Sequence, residues 1–309
     1  MTFNIWRDGT QVENGLAKIV KHIKFINPDI VAIQELKKPE TLKNITNLLG
    51  PDWTGIYNTI NATYPDNAII TKHQILDNTV SKVVKGIGTD IQLNTGHVIS
   101  FWGLHLYQLS YGPYAAQNKL VTKHEQIMKG EMMDGMFNGD IWIGSRVQNI
   151  EELLSNENFQ KSIQNADQKP VILAGDFNCP SHLDWTEETK DKHGGWVFEW
   201  PVTKLLTEKV NLIDSYRHIY PDPAKDPGET WSCVQKSSGP EWSYTIPEPQ
   251  DRIDFIFYKS HKLVPVHSFT YSGTEPLAQL PNAYQNDFPS DHHAVVTDFR
   301  LVIEEFARL

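Results

Sequence analysis

The first forty residues follow a β-α-β pattern, and this pattern limits the fold more than any other feature of the chain. A short apolar strand ends near Trp6, and the apolar residues 16, 19, 20 and 23 then have the i, i+3, i+4, i+7 spacing of an amphipathic helix. A second apolar run, residues 30–33, is typical of a buried strand and leads into Gln34 and Glu35. Because open α/β sheets gather functional groups at the carboxyl ends of their strands, we expect Asn4 and Glu35 to share one rim.

The rest of the chain mixes strand and helix patterns. We predict strands at residues 67–71, 98–106, 171–175, 253–258 and 294–301, and helices at residues 39–49 and 147–159. Residues 107–144 and 181–250 fit this alternation poorly, and we interpret them as elaborated loops on one scaffold. There is no fixed repeat and no Pro- or Gly-rich linker, so we predict a single domain over residues 1–309 with an insertion at about 181–250.

The charge balance argues against one class of function. The chain has 28 Lys and Arg against 38 Asp and Glu, a net charge of −10, and no dense basic block. A protein that grips long nucleic acid by charge alone is therefore not expected. A phosphate substrate is still compatible with this balance, because a divalent cation bound by carboxylates can invert the local field.

Membrane and redox signals are weak. No run of eighteen apolar residues occurs, so we expect a soluble protein, and we expect a monomer. The opening residues read as a strand and not as a signal peptide, which leaves the compartment open: secreted if a signal was removed, cytoplasmic otherwise. Cys179 and Cys233 lack metal-site spacing, and one disulfide between them is compatible with the sequence.

Polar side chains end or interrupt several predicted strands. Asp176 and Asn178 follow the strand 171–175 and point to the same side of the backbone, although a tight turn would also explain them. His105 ends an apolar run, where a hydrogen-bonded rim histidine is the more frequent finding. Asp254 lies inside an apolar strand and must be paired if it is buried. Asp291 and His292 could be a metal ligand beside a general base, or a solvated turn.

Taken together, these residues occur in a specific order. They are Asn4 in TFNIW, Glu35 in AIQEL, His105 in GLHLY, Asp176 and Asn178 in AGDFNCP, Asp254 in RIDFIFY, and Asp291 with His292 in PSDHHAV. In this order the sequence resembles the endonuclease/exonuclease/phosphatase superfamily, which includes type I DNases, abasic-site endonucleases, neutral sphingomyelinases and inositol polyphosphate 5-phosphatases. The resemblance spans residues 2 to about 301. It implies an α+β fold, a four-layer α/β/β/α sandwich of the DNase I type, with the site at one end.

The resemblance also implies a divalent cofactor, Mg²⁺ or Mn²⁺. Glu35 would be its principal ligand, and Asn4 and Asp291 would be further direct or water-mediated ligands. Carboxylate and amide oxygens are the ligands that these hard ions prefer.

The same resemblance assigns catalytic roles. It implies that His292, oriented by Asp254, contacts a phosphate oxygen or polarises the attacking water. Asp176 would position and deprotonate that water, Asn178 would hold the water or the phosphate, and His105 would stabilise charge on the phosphate oxygens. The enzyme would then be a phosphoric ester hydrolase.

The substrate is less constrained. Cys179-Pro180 after Asn178, and Gln250-Asp251-Arg252 before Asp254, depart from the inositol 5-phosphatase pattern. We therefore expect a phosphodiesterase or nuclease. Its substrate would be a nucleic acid fragment, a nucleotide or a phospholipid headgroup. A phosphomonoesterase and a sphingomyelinase-like lipid phosphodiesterase are the alternatives. A catalytically silent binding scaffold is the alternative of another class, and the presence of every expected polar residue argues against it.

The insertion at about 181–250 contains five of the nine tryptophans, at positions 185, 196, 200, 231 and 242. Because it follows Asn178 directly, we expect it to cover the site, with His182 and Trp185 facing the substrate. An insertion of this length must also bury a small core of its own, and tryptophans serve that purpose equally well.

Overall fold

The structure is a computed structural model that describes residues 1–61, 64–239 and 243–302. Within these ranges the strands are β1 (Thr2–Asn4), β2 (Ile30–Leu36), β3 (Thr54–Tyr57), β4 (Asp66–Thr71), β5 (Gln74–Ile75), β6 (Ser81–Val83), β7 (Gly86–Gln92), β8 (Val98–His105), β9 (Phe137–Asn138), β10 (Ile141–Trp142), β11 (Val171–Asp176), β12 (Ile213–Asp214), β13 (Asp254–Lys259), β14 (Leu263–Tyr271) and β15 (Ala294–Leu301). The helices are α1 (Gly15–Ile26), α2 (Pro39–Leu49), α3 (Gly112–Gln117), α4 (His124–Met133), α5 (Arg146–Ser155), α6 (Glu157–Gln164), α7 (Pro201–Val210) and α8 (Ser215–Ile219).

Two large sheets organise these elements. The first has the strand order β14-β15-β1-β2-β4-β3, and the second has the order β12-β13-β11-β8-β7-β5, with β6 also paired to β7. The pairs β1/β2 and β8/β11 are parallel, and the other neighbours are antiparallel. The short strands β9 and β10 form a separate hairpin.

Side-chain alternation along β11 divides the core into layers. Val171 and Leu173 pack against the helices outside the second sheet, whereas Ile172 and Ala174 face the first sheet. On the far side, α1 and α2 cover the first sheet through residues such as Ile19 and Ile45. The layers therefore run helix, sheet, sheet, helix, and the expected four-layer sandwich is confirmed.

Most predicted element positions agree with the structure, but the helix predicted over 147–159 is interrupted. It is divided into α5 and α6 at Asn156, whose backbone is extended. The Asn156 side chain accepts hydrogen bonds from the amides of Asn158 and Phe159 and so caps the start of α6. The apolar periodicity continues across the break, which is why the sequence pattern alone does not reveal it.

The two stretches interpreted as loops contain more regular structure than expected. Residues 107–144 hold α3, α4 and the β9/β10 hairpin, and residues 181–250 hold α7, β12 and α8. The helix α7 begins at Pro201. Proline is well tolerated in the first turn of a helix, because the N–H groups of that turn have no partner within the helix. Val202 and Leu206 of α7 pack into the core. Apart from α4 and α7, these elements have only two to six residues, which is too few for a recognisable periodic pattern.

Candidate active site

Strand register in the second sheet aligns three of the predicted residues. Asp176 pairs with His105 on the parallel strand β8 and with Asp254 on the antiparallel strand β13. All three side chains alternate toward the first sheet, so they meet at one end of the inter-sheet interface. The preceding Gly175 is needed for this close approach, because a Cβ there would lie 2.1 Å from the carbonyl oxygen of Leu104.

The first sheet contributes Asn4 and Glu35, as the β-α-β pattern predicted. Asn4 pairs with Gln34 on the parallel strand β2. The register of β2 against β4 shifts between Gln34 and Leu36, and Glu35 has a φ of 63° at this bulge. Gln34 and Leu36 are buried on either side, whereas Glu35 lines the cleft. The bulge therefore points the Glu35 carboxylate into the cleft, which the regular alternation of side chains along β2 would not do.

A left-handed turn after β1 holds Glu35 in place. Trp6, Arg7 and Asp8 have φ values of 44°, 55° and 61°, which are uncommon for residues with a side chain. The amide of Arg7 donates to Glu35 Oε2 at 2.8 Å, and the amide of Asp8 donates to the Glu35 carbonyl at 3.2 Å. These bonds offset part of the cost of the turn and orient the carboxylate.

His292 joins the two sheets at the centre of the site. Its Nδ1 is 2.9 Å from Asp254 Oδ2, and its Nε2 is 3.7 Å from Asp176 Oδ2. The Ser290 hydroxyl accepts from the His292 amide at 3.0 Å and donates to the Asn4 carbonyl at 2.6 Å, which ties this loop to β1. The result is a buried acid–imidazole–acid arrangement.

Charge coupling shifts the pKa values in this arrangement. Burial, followed by the neighbouring carboxylate of Asp254, raises the pKa of Asp176. Burial works against the charged form of His292, but Asp254 and Asp176 outweigh it and raise the pKa of His292 to about 10. At neutral pH the imidazole therefore carries a proton on both nitrogens and can donate one of them.

A second histidine is supported by a partner that sequence reasoning missed. His105 Nδ1 lies 2.8 Å from Asp66 Oδ1, and Lys85 donates to Asp66 Oδ2 at 2.6 Å. Burial opposes ionisation of Asp66, yet His105 and Lys85 hold its pKa well below the usual range. Burial likewise opposes protonation of His105, but Asp66 raises its pKa. Asp66 directly follows Pro65 at a strand start, where an aspartate reads as an ordinary turn residue.

Two carboxylates are suited to a divalent cation. Glu35 and Asp291 line the same cleft, and Asp291 Oδ1 is buried without a hydrogen-bond partner in the described ranges. Burial raises the pKa of Asp291 to about 6, although His292 opposes this shift, and the negative charge of Glu35 adds to it. An orphaned carboxylate oxygen facing a second carboxylate fits Mg²⁺ or Mn²⁺. Asp176, Asp254 and His292 also offer ligand atoms within 4.8 Å of one another, but these groups already pair with each other.

The two asparagines act mainly on Asp176. Asn4 Nδ2 donates to Asp176 Oδ2 at 3.1 Å, and Asn4 Oδ1 accepts from the Trp6 amide at 3.0 Å. Both ends of the Asn4 amide make hydrogen bonds, so Asn4 orients Asp176, and its role as a direct or water-mediated metal ligand stays a prediction. The amide of Asn178 donates to Asp176 Oδ1 at 2.9 Å, and its side chain donates to the Leu106 carbonyl at 3.1 Å. Asn178 also lines the cleft.

The expectation for Trp185 and His182 is wrong. Trp185 is buried, stacks on His193 with 4.3 Å between ring centroids, and donates to Asp251 Oδ1 at 2.8 Å. His182 Nδ1 is 2.9 Å from the Thr203 hydroxyl, and neither residue lines the cleft. The Trp185 ring thus belongs to the core of the insertion, because Asp251 satisfies its N–H there.

The cleft instead has an aromatic wall formed by Tyr111, Tyr114 and Trp231, beside a cavity of about 220 Å³. The rings meet edge to face, with 5.6 Å between the centroids of Tyr111 and Trp231. Trp231 comes from the insertion, as expected of a covering segment, and the two tyrosines come from the segment around α3. No local pattern distinguishes Trp231 from Trp185. Trp242 lies outside the described residues.

Two further expectations concern the cysteines and the membrane. Cys179 and Cys233 are both buried and free, so they do not form a disulfide with each other. Burial raises the pKa of both thiols.

Among the residues that the structure describes, no helix has the length and apolar character needed to cross a membrane.

Comparison with known proteins agrees with this geometry. The uncharacterized protein F14F9.5 of Caenorhabditis elegans is 48% identical over 302 residues, which cover 98% of this chain and 91% of the worm protein. The human Nocturnin catalytic domain has a TM-score of 0.57 at 16% identity, covering 97% of this chain and 93% of that domain. An endonuclease/exonuclease/phosphatase from Bacteroides vulgatus has a TM-score of 0.58 at 16% identity, covering 97% of both chains. At these identities the two structures show a shared fold alone.

The sequence also matches the model of one protein family over almost the whole length of this chain. Residues 1–292 match the Endonuclease/Exonuclease/phosphatase family, whose members are mostly hydrolases of phosphate esters. The matched residues include every polar side chain discussed above, from Asn4 to His292. Together with the shared fold, this match shows that the chain belongs to the endonuclease/exonuclease/phosphatase family.

Proposed function

We propose that this protein is a metal-dependent phosphodiesterase that hydrolyses a P–O bond with an activated water. The observation that carries the proposal is the buried chain Asp254–His292–Asp176, which opens on a cleft that also contains Glu35 and Asp291. A proton donor, a proton acceptor and two carboxylates that line the same cleft are the groups that such hydrolysis requires.

Asp176 takes the proton of the attacking water. Its raised pKa makes it a better base than an ordinary aspartate. Asn4 donates to one of its oxygens and the amide of Asn178 to the other, so the carboxylate has a fixed direction. The water oxygen forms the new bond to phosphorus, the ester bond to the leaving oxygen breaks, and the water proton moves to Asp176.

The two histidines act on the phosphate oxygens. His292 is protonated at neutral pH and presents Nε2–H toward the cleft, while Asp254 holds the opposite side of the ring. His105 is held in the same way by Asp66. These donors stabilise the charge that develops on the phosphate oxygens, and they need no reorganisation when the reaction occurs.

Glu35 and Asp291 hold the divalent cation in this proposal. When bound, Mg²⁺ or Mn²⁺ neutralises the phosphate and the leaving oxygen. The backbone amide of Arg7 fixes one oxygen of Glu35, and the indole of Trp231 approaches Asp291 Oδ2 at 3.4 Å, so both carboxylates keep their positions in the cleft.

The aromatic wall supports a diester with a planar or apolar group on one side of the phosphate. Tyr111, Tyr114 and Trp231 offer ring faces and edges to such a group. The net charge of −10 gives little surface for tracking a duplex. The favoured substrate is therefore a small or single-stranded phosphodiester that carries a base or a headgroup.

A substrate screen in Mg²⁺ tests the proposal. Bis-p-nitrophenyl phosphate and mono-p-nitrophenyl phosphate would be compared with single-stranded DNA, duplex DNA, RNA and sphingomyelin. We expect the bis ester to be hydrolysed faster than the mono ester, and EDTA to abolish the reaction. His292→Ala should lose activity, whereas the matched variant His293→Ala, altered at a position that does not line the cleft, should retain it.

Other outcomes have distinct meanings. Preferred hydrolysis of the mono ester would indicate a phosphomonoesterase. Ligand binding that survives EDTA, without hydrolysis of any substrate in Mg²⁺ or Mn²⁺, would contradict the proposal and indicate a silent scaffold.

A further inference from the structure

A second cavity adjoins the cleft. It has a volume of about 420 Å³ and shares Glu35, His105 and Gln108 with the cleft. Asn58, Tyr64 and Lys85 also line it, together with residues of the β9/β10 hairpin. A phosphodiester held at the shared boundary therefore has space for one ester group against the aromatic wall and for the other in this second cavity.

Two cations in the second cavity have few partners of their own. The Lys37 ammonium lies 4.0 Å from the Tyr64 ring centroid and 4.0 Å from Glu35 Oε2. The Arg7 guanidinium makes no hydrogen bond or ion pair with any residue in the described ranges. Arg7 and Lys37 both line this cavity. Two neighbouring cations on one concave surface attract an anion.

The acids near this cavity do not cancel these charges. Asp66 is already paired with Lys85 and His105. Glu35 Oε2 lies 4.0 Å from the Lys37 ammonium, and in the proposed function this carboxylate is neutralised by the bound cation. Asp8 accepts from the Lys37 backbone amide at 2.8 Å and does not line the cavity. The cavity thus presents a positive surface in a chain whose net charge is −10.

We propose that Arg7 and Lys37 form a subsite for a second phosphate group on the substrate. This inference rests on the proposed function, and it narrows the substrate class to phosphodiesters with an additional phosphate on the ester group that enters the second cavity. The Arg7 guanidinium can form paired hydrogen bonds to phosphate oxygens, and Lys37 adds a point charge beside it. Tyr64 limits the directions that the Lys37 ammonium can take.

Two substrates that differ by one phosphate test this inference. The p-nitrophenyl ester of thymidine 5′-phosphate would be compared with the same ester carrying a 3′-phosphate. In Mg²⁺ we expect kcat/KM of the wild-type protein to be about tenfold higher for the 3′-phosphorylated ester, which is the effect of one charge-assisted contact. This preference should shrink as ionic strength rises.

Variants assign the preference to named residues. Arg7→Gln and Lys37→Gln should each bring the ratio of the two kcat/KM values toward one. Lys38→Gln removes an equal charge from an exposed neighbouring lysine that does not line the cavity, and it should keep both the activity and the preference. Equal kcat/KM values for the two esters in the wild-type protein would overturn the inference while leaving the proposed function intact.

A binding measurement separates the two claims if neither ester is hydrolysed. That result would contradict the proposed function, and calorimetric titration with thymidine 3′,5′-bisphosphate and thymidine 5′-monophosphate would then decide the inference. Tighter binding of the bisphosphate by about tenfold, lost in Lys37→Gln and kept in Lys38→Gln, would support the subsite. Equal affinity for the two nucleotides would overturn it.

Discussion

The floor and the aromatic wall of the cleft are built in different ways. The floor, formed by Asn4, His105, Asp176, Asp254 and His292, is buried, and strand register and hydrogen bonds between 2.8 and 3.1 Å hold its side chains. The wall, formed by Tyr111, Tyr114 and Trp231, comes from loops and a short helix whose rings meet edge to face.

This difference separates chemistry from substrate choice. Sheet register cannot shift by one residue without exposing the core, so the positions of the floor residues are fixed by the fold. Loop segments tolerate change because they lie at the surface of the scaffold. We therefore expect changes in the floor to lower kcat, and changes in the wall to raise KM.

The largest effect is expected for Glu35→Gln, which keeps the shape of the side chain and removes its charge. Loss of one ligand of the divalent cation should lower the rate by about three orders of magnitude. The measurement is hydrolysis of bis-p-nitrophenyl phosphate across a Mg²⁺ titration. Glu40→Gln, at an exposed position in α2, is the matched control. A wild-type rate for Glu35→Gln at every Mg²⁺ concentration would show that Glu35 is not a ligand of the divalent cation.

Asp254→Asn should lower the rate by about 100-fold and change the pH profile. In the wild-type protein, activity should rise as Asp176 loses its proton and fall near pH 10 as His292 loses its own. Asp254 raises both pKa values, so its replacement should move both limbs to lower pH. If both limbs of the pH–rate profile stayed at the same pH in Asp254→Asn, Asp254 would not control the pKa values of Asp176 and His292.

Trp185→Ala should affect stability and not substrate binding, because Trp185 is buried and does not line the cleft. Loss of a large buried ring should lower the free energy of unfolding by about 3–5 kcal/mol, measured by urea denaturation. Trp142, which is 43% exposed, provides the control variant Trp142→Ala. If Trp185→Ala had normal stability and a raised KM, Trp185 would be a substrate-binding residue.

The smallest effect is expected for Tyr114→Ala, in the wall. Stacking of a base on an aromatic ring contributes about 1–3 kcal/mol, so KM for a base-bearing phosphodiester should rise by about fivefold or more. Tyr114→Phe keeps the ring and loses the hydroxyl that donates to Glu248, so it should keep most of the affinity. Tyr284→Ala, at a 56% exposed position, is the control. An unchanged KM in Tyr114→Ala would show that the aromatic wall does not bind the substrate.

The sequence predicted the floor far better than the wall. Each floor residue ends, interrupts or closely precedes an apolar run, and apolar runs mark strands whose ends converge in an α/β fold. The β-α-β pattern placed Asn4 beside β2 correctly. It could not show that the amide of Asn4 would be occupied by Trp6 and Asp176, because both contacts depend on tertiary structure.

The wall depends on how the long connections fold. Trp185 and Trp231 have the same residue type in the same insertion, yet the first bonds to Asp251 in the core and the second lines the cleft. Tyr111 and Tyr114 lie in a stretch without a readable period. Their positions are fixed by packing between segments distant in sequence, such as the hydrogen bond from the Tyr111 hydroxyl to Asp251 at 3.0 Å.

A double-variant cycle on Asp176 and His292 tests the central claim most directly. The rates of Asp176→Asn, His292→Ala and the double variant would be measured on bis-p-nitrophenyl phosphate in Mg²⁺, with circular dichroism to verify folding. Because both side chains act in one step, each single variant should lose about two or more orders of magnitude, and the double variant should lose little more than the slower single one. A double-variant loss equal to the product of the single losses would contradict a shared catalytic unit.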